Sequence, residues 1–300
     1  MFPKHKILSG PTPLERADVL SKHLEINLHI KRDDLAGPSF GGNKARQLEH
    51  YFGEALSQDA DTILITGATQ SNFTRIAVAV THSLGMEAVV QFEDRMKKGC
   101  TCYKNSGNVL LSRSIGAEIE FYSKGEDDAG GYVDAAKELL VQNNEFDVFV
   151  VASGSGATHA GLLAGLRGSG SKAVVIGCCV RRAAALQGPR IDRVLERLAD
   201  LYSPANHVTS QDIRVWDGAL APGYGRIGPK SLSAIKLMAS REGLFLDPVY
   251  TAKSFAAILP LVETGDIPKG AKVCFVHTGG LAALYAYQDQ LAHMFGIEGL

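Results

Sequence analysis

Lys44 follows two glycines and an asparagine, in Gly41-Gly42-Asn43-Lys44, and leads into Ala45–Ser57, where Leu48, Phe52, Ala55 and Leu56 recur at helical spacing. A lysine on the first turn of a helix opposes the positive end of the helix dipole. Such a local conflict is what a functional residue produces. Burial and neighbouring positive charge lower a lysine's pKa, and a neutral amine forms a Schiff base with an aldehyde. Taken alone, a lysine of this kind is most often a solvated surface residue. Three further runs change its context: Gly67-Ala68-Thr69-Gln70-Ser71-Asn72, Ser153-Gly154-Ser155-Gly156-Ala157-Thr158, and Ala221-Pro222-Gly223-Tyr224-Gly225.

Each run has a chemical and a structural reading. Ser153–Thr158 joins an apolar strand to a helix, and its small residues let backbone N–H groups approach a phosphate at a helix start. It is neither a Walker loop nor a Gly-x-Gly-x-x-Gly dinucleotide loop, and a plain tight turn explains it equally well. Ser71 and Asn72 are good N-caps. Tyr224 and Tyr250 are hydroxyls for a site or half-buried core residues that need a hydrogen-bond partner.

The elements that must position these runs alternate. Leu28–Lys31, Thr62–Thr66, Glu87–Phe92, Glu118–Tyr122, Phe146–Val151, Ala173–Gly177 and Val273–Val276 read as strands. Helices are expected at Ser71–Leu84, Val109–Ile115, Tyr132–Val141, Ala160–Leu166, Ile191–Leu201, Ser231–Glu242 and Ala252–Val262. This order argues an α/β class with mainly parallel sheets. Asp33 and Asp34 read as turn formers, and Gly125–Gly131 as a solvated acidic connection.

Composition narrows the function classes. A net charge of −1 gives no electrostatic case for nucleic acid or an anionic membrane. No stretch has the roughly 18 apolar residues of a membrane span, and the N-terminus lacks the apolar run of a secretory signal. The five cysteines form no Cys-x-x-Cys pair and no metal site is expected. Reduced thiols at Cys178, Cys179 and Cys274 imply a cytoplasmic location.

Together the runs, from Gly10-Pro11-Thr12-Pro13-Leu14 to Tyr287, resemble the pyridoxal-phosphate enzymes of the tryptophan-synthase-β fold (fold type II). More narrowly they are similar to the branch with D-cysteine desulfhydrase, L-cysteate sulfo-lyase and aminocyclopropane-carboxylate deaminase. The resemblance implies two doubly wound, mainly parallel sheets, a smaller domain (43–144) inserted in a larger one (1–42 and 145–300), and pyridoxal 5'-phosphate in the cleft between them. It implies a homodimer acting on a small amino acid, without nucleic acid or membrane partners. Lys44 would hold the cofactor and move the α-proton, Asn72 would bond its phenolic oxygen, and Ser71 would lie close to the substrate carboxylate. Ser153, Gly154, Ser155, Gly156, Ala157 and Thr158 would hold its phosphate, Thr278 would bond its ring nitrogen, and Tyr224 and Tyr250 would face the substrate.

Departures from the family pattern set the finer expectations. Phe73 stands where the family usually has His, and it carries no hydrogen bond or acid–base capacity. Thr251 and Thr278 match desulfhydrases, where the deaminases have Glu and Leu. The expected reaction is therefore β-elimination giving pyruvate, ammonia and sulfide or sulfite. The alternatives are ring-opening deamination, or a degenerate relative that only binds cofactor or amino acid. Arg181, Arg182 and Arg190 read as a solvated basic edge. Arg226 is either a solvated loop residue or a ligand for an anionic β-substituent.

Overall fold

The computed structural model describes residues 3–93, 101–122 and 132–297. The expected Gly125–Gly131 connection and one of the five cysteines, Cys100, lie outside the described residues. The chain gathers into two compact units: Met1–Ser9 with Asp34–Asp127 and Gly279–Leu300, and Gly10–Asp33 with Asp128–Thr278. This grouping places 34–42 and 279–300 together with most of the 43–144 span.

The first unit is built on three parallel strands, β3 (Thr62–Ala68), β4 (Glu87–Glu93) and β5 (Glu118–Tyr122), in the order β3-β4-β5. Thr62 pairs with Glu87, and Val89 with Glu118. The helices Lys44–Ser57, Asn72–Ser83 and Gly107–Ile115 supply the apolar side chains of its core: Leu48, Phe52, Ile76, Val80 and Val109 pack with Val90 and Phe92. The four-residue spacing of Leu48 and Phe52, and of Ile76 and Val80, is what buries one helical face against a sheet. Gly279, with φ +93°, lies so close to Gly42 that an added Cβ would stand 2.8 Å from its Cα. Only glycine fits that approach.

The second unit holds a six-stranded sheet in the order β1-β2-β9-β6-β7-β8. Its strands are β1 (Leu14–Arg16), β2 (Asn27–Lys31), β6 (Val148–Ser153), β7 (Val174–Cys179), β8 (Arg214–Trp216) and β9 (Lys272–Val276). Only the edge strand β1 is antiparallel. Strands β6 and β9 are almost wholly buried, as expected of parallel strands covered on both faces. Phe149, Val151, Val175 and Val276 pack with Leu162 and Leu163 of the helix Ala157–Gly168 and with Ile191.

Two expected helices differ. The helix Ala184–Leu201 starts before Ile191 and contains Pro189. Its first turns are held by tertiary bonds that override the proline: Gln187 Nε2 donates to Ser153 Oγ at 2.9 Å, and Asp217 accepts the Ala184 N–H. The stretch 252–262 forms two helices, Thr251–Phe255 and Ile258–Glu263. Pro260 has no N–H for the Ala256 carbonyl, so one helix ends and another begins.

Candidate active site

Ser71 and Asn72 in the first unit, and Ser153–Thr158 and Thr278 in the second, stand at the carboxyl ends of parallel strands, where ligands bind in open α/β sheets. In the first unit, β3 ends at Ala68 and Ser71 caps the helix Asn72–Ser83, its Oγ accepting the Thr74 N–H at 3.3 Å. Lys44 opens the helix Lys44–Ser57, and Gly41 and Gly42 before it have φ of +60° and +137°. No acid occupies the first turn of that helix, and Lys44 Nζ lies 3.4 Å from Gln47 Oε1. Lys44 is half-buried, so its amine is held near the helix dipole without a carboxylate in its own first turn.

Asn72 is fixed by residues the sequence did not single out. Arg75 Nη1 donates to Asn72 Oδ1 at 3.0 Å, and Asn108 Nδ2 donates to the same oxygen at 3.1 Å. Phe73 meets Tyr51 edge-on, with ring centroids 6.1 Å apart, and packs against the first unit's core. Its ring has a packing role in place of a polar one.

In the second unit the Ser153–Thr158 loop joins β6 to the helix Ala157–Gly168, and Gly156 caps that helix at φ +103°. A Cβ on Gly156 would come within 3.0 Å of Ile191, and one on Gly154 within 3.2 Å of Val180. The loop is thus pressed onto its surroundings by backbone alone. The half-buried hydroxyl residues Ser155 and Thr158 lie on either side of the helix start. Buried His159 lies behind the loop, its Nδ1 3.3 Å from Ser153 Oγ, and burial brings its pKa down to about 4, so the ring is neutral.

The loop is braced by the arginines expected to form a solvated edge. Arg182 Nη1 donates to the Gly154 carbonyl at 2.8 Å, and Arg190 Nε to the Ser155 carbonyl at 3.0 Å. Both are half-buried, and this corrects the surface reading. Asp33 also differs from a plain turn former. It opens a short 3-10 turn, but its side chain is buried, accepting from Thr12 Oγ1 at 2.7 Å and from the Tyr132 hydroxyl.

Tyr224 and Tyr250 are brought together, their hydroxyl oxygens 2.7 Å apart and their rings near-perpendicular at 73°. Tyr250 also reaches the glycine loop: its ring lies 3.8 Å from where a Gly154 Cβ would be. Buried Asp247 accepts the N–H groups of Val249, Tyr250 and Thr251 and the Thr251 hydroxyl. Burial raises the Asp247 pKa against those bonds. Lys253 donates to the carbonyls of Leu220 at 3.0 Å and Gly223 at 2.6 Å, anchoring the loop of Tyr224. Burial lowers the pKa of Lys253 to about 8. Thr278 is buried and follows β9 and His277. Arg226 is exposed.

Cys102, Cys178, Cys179 and Cys274 are free, and burial pushes the Cys178 and Cys274 thiols up and Cys179 to about 12. They are poor nucleophiles. Among the described residues no group of acidic, cysteine or histidine side chains could hold a metal ion, and no helix is long and apolar enough to cross a membrane.

The family model described as pyridoxal-phosphate dependent enzyme matches residues 6–140 and 126–279. D-cysteine desulfhydrases of Klebsiella pneumoniae (strain 342) and Salmonella paratyphi C (strain RKS4594) are each 35% identical to the chain, over 97% of it and 98% of their own length. The crystal structure of an ACC deaminase homologue superposes with a TM-score of 0.86 at 28% identity, covering 98% of this chain and 96% of the other. Threonine deaminase isoform 2 of Solanum lycopersicum, at 14% identity and a TM-score of 0.69 over 97% of this chain and 84% of its own, shares the fold. The residues present suit the cofactor of that family: a lysine at a helix start, an asparagine of fixed orientation, and a glycine cradle at a second helix start. The chain belongs to the pyridoxal-phosphate dependent enzymes and is a lyase of the fold type II group.

Proposed function

We propose that the chain is a D-cysteine desulfhydrase-like lyase, which eliminates the β-substituent of a small amino acid to give pyruvate, ammonia and sulfide. The observation that carries this is the end-to-end similarity to D-cysteine desulfhydrases, with Thr251 and Thr278 in the pattern of that activity. Bound pyridoxal phosphate supplies the electron sink that makes the substrate's α-proton removable. Lys44 would hold the cofactor, and its amine would take the α-proton. Asn72 donates to the cofactor's ring oxygen, and the Ser153–Thr158 loop binds its phosphate with backbone N–H groups and hydroxyls. Thr278 gives the ring nitrogen a neutral partner. Ser71 lies at the substrate carboxylate. The hydroxyl pair of Tyr224 and Tyr250 is suited to pass a proton to the departing sulfur, since either oxygen can donate to the other.

Ring-opening deamination is the second reading, favoured by the close superposition with the ACC deaminase homologue. Against it, Thr251 is committed to Asp247 by bonds at both its N–H and its hydroxyl. The proposal includes a cytoplasmic location, supported by the free state of the described cysteines, and, on the resemblance alone, a homodimer whose chain divides as 1–42 with 145–300 and 43–144. Keto-acid release from D-cysteine, L-cysteate, β-chloroalanine and aminocyclopropane carboxylate tests the substrate. Pyruvate from D-cysteine is expected. 2-Oxobutanoate from the cyclopropane substrate alone would favour deamination, and no keto acid from any would leave a binding protein.

A further inference from the structure

Arg75 is fully buried in the helix Asn72–Ser83, yet it bonds only neutral oxygens. Nη1 donates to Asn72 Oδ1 at 3.0 Å and to Asn108 Oδ1 at 2.6 Å, and Nη2 donates to the Gly41 carbonyl at 2.5 Å. Nε has no partner, and no carboxylate among the described residues pairs with the guanidinium. A buried arginine in neutral surroundings is costly, and desolvation alone takes its pKa down to about 10. It is still charged at neutral pH, so among the described residues it is a buried cation with no bonded carboxylate, hydrogen-bonded to Asn72.

The contacts also fix which way Asn72 faces. Its Oδ1 takes one donor from Arg75 and a second from Asn108 Nδ2 at 3.1 Å. Asn108 cannot turn over, because the same Nδ2 also donates to the Gln70 carbonyl while its Oδ1 accepts from Arg75. Gln70 is locked in turn: Oε1 accepts the Asn108 N–H at 2.9 Å, and Nε2 donates to the carbonyls of Tyr103 and Ser106. The half-buried Asn72 is left with its NH2 as the group offered to a ligand, so the position reads as a donor with a cation behind it. That combination selects an anionic or strongly accepting oxygen. The Gly41 bond ties the same guanidinium to the loop that ends at Lys44.

We propose that Arg75 is a positioning residue for the cofactor, acting with Asn108 through Asn72 to present a donor of fixed sense to the cofactor's ring oxygen and to favour its ionised form. This rests on the functional reading above. It goes further in assigning a role to Arg75 and Asn108, which touch no ligand themselves.

The test uses the full chain freed of cofactor and titrated with pyridoxal phosphate. Its readouts are the dissociation constant, the pH midpoint of the visible band and the thermal midpoint before loading. Arg75→Met removes the cation while keeping an unbranched apolar stem. Asn108→Asp supplies a counter-charge to Arg75 and removes the second donor to Asn72 Oδ1, so that the cation is neutralised and the Asn72 amide is held from one side only. Both variants are expected to bind pyridoxal phosphate at least about tenfold more weakly, the equivalent of about 1.4 kcal/mol. Both should also move the pH midpoint upward, because the cation that favours proton loss is removed in one variant and neutralised in the other. A merely structural network would lower the melting point and leave the other two readouts in place, and that result overturns the proposal. Should Arg75→Met fail to fold, Asn108→Asp decides alone, and binding within about twofold of wild type would overturn it. If the wild-type chain takes up the cofactor on a lysine other than Lys44, the functional reading fails and this one falls with it. Uptake on Lys44 with unchanged variants sinks only this one.

Discussion

Lys31 in the second unit and Arg75 in the first are both fully buried cations, and the two are treated in opposite ways. Lys31, at the end of β2, is fully buried but paired: its Nζ donates to Glu138 Oε1, to Gln142 Oε1 at 2.7 Å and to the Thr12 carbonyl at 2.7 Å. Glu138 in turn accepts the Thr12 N–H. Arg75, in the other unit, has only amide and carbonyl oxygens. A neutralised, fully hydrogen-bonded cation fastens one segment to another and projects little field. An uncompensated one leaves positive potential at the residues it holds, which here are Asn72 and the loop before Lys44. The first arrangement is architecture and the second is preparation for an anion.

Breaking the paired cation should have the larger cost to folding. Lys31→Met leaves Glu138 and the Thr12 carbonyl short of a donor, and removing one member of a buried pair costs about 3–5 kcal/mol. Urea unfolding should register that loss at neutral pH. A loss below about 1 kcal/mol would show that Lys31 is no more than a surface-like ion pair. Next in size is Asp247→Ala, which strands three buried N–H groups around Tyr250. Each unsatisfied group costs about 1–3 kcal/mol, so the variant should be strongly destabilised and, where folded, impaired in turnover.

Lys253 sharpens the contrast through pH. Its folded-state pKa is lowered to about 8 from 10.5, so between those values the unfolded chain binds the proton and the folded chain does not. Stability from this group therefore rises as pH climbs from about 8 to about 10.5, and the burial penalty on the ammonium is fully felt below that window. Comparing wild type with Lys253→Met across this range should show the gap moving in the wild type's favour. A gap independent of pH would mean that the amine is not penalised. The smallest effect belongs to Arg226. It is exposed, and Arg226→Ala should change stability by less than about 0.5 kcal/mol and leave the ratio of kcat/KM for D-cysteine and cysteate within about twofold.

These contrasts also show which features could be read from the sequence. The runs around Lys44, Ser71, Ser153 and Tyr224 are local, and their small residues and strand-to-helix settings are visible along the chain. The long buried strands β6, β7 and β9 announce themselves as continuous apolar runs. Strands β1 and β8, of three residues each, are too short to show periodicity and exist through pairing with β2 and β7. The helices Leu281–Ala286 and Gln288–Phe295 are likewise short and went unread. The supporting residues were hidden for a different reason. Arg182, Gln187 and Arg190 act on Gly154 and Ser155 from about thirty positions away, and Asn108 acts on Asn72 from a separate helix. A polar residue in a helix looks solvated until the fold shows what it faces. Phe73 was legible as a loss of chemistry, but its packing against Tyr51 was not.

All of this turns on Lys44. Reducing the protein loaded with pyridoxal phosphate with borohydride, digesting it and locating the modified peptide by mass spectrometry tests that claim directly. The cofactor's mass is expected on Lys44, in the tryptic peptide from Asp33 to Arg46 that carries the Gly41-Gly42-Asn43 turn. Lys44→Ala should lose both the label and the visible band near 410–430 nm that shifts on adding amino acid, with its thermal midpoint held close to wild type. Label on Lys253, Lys31 or any other lysine would contradict the account.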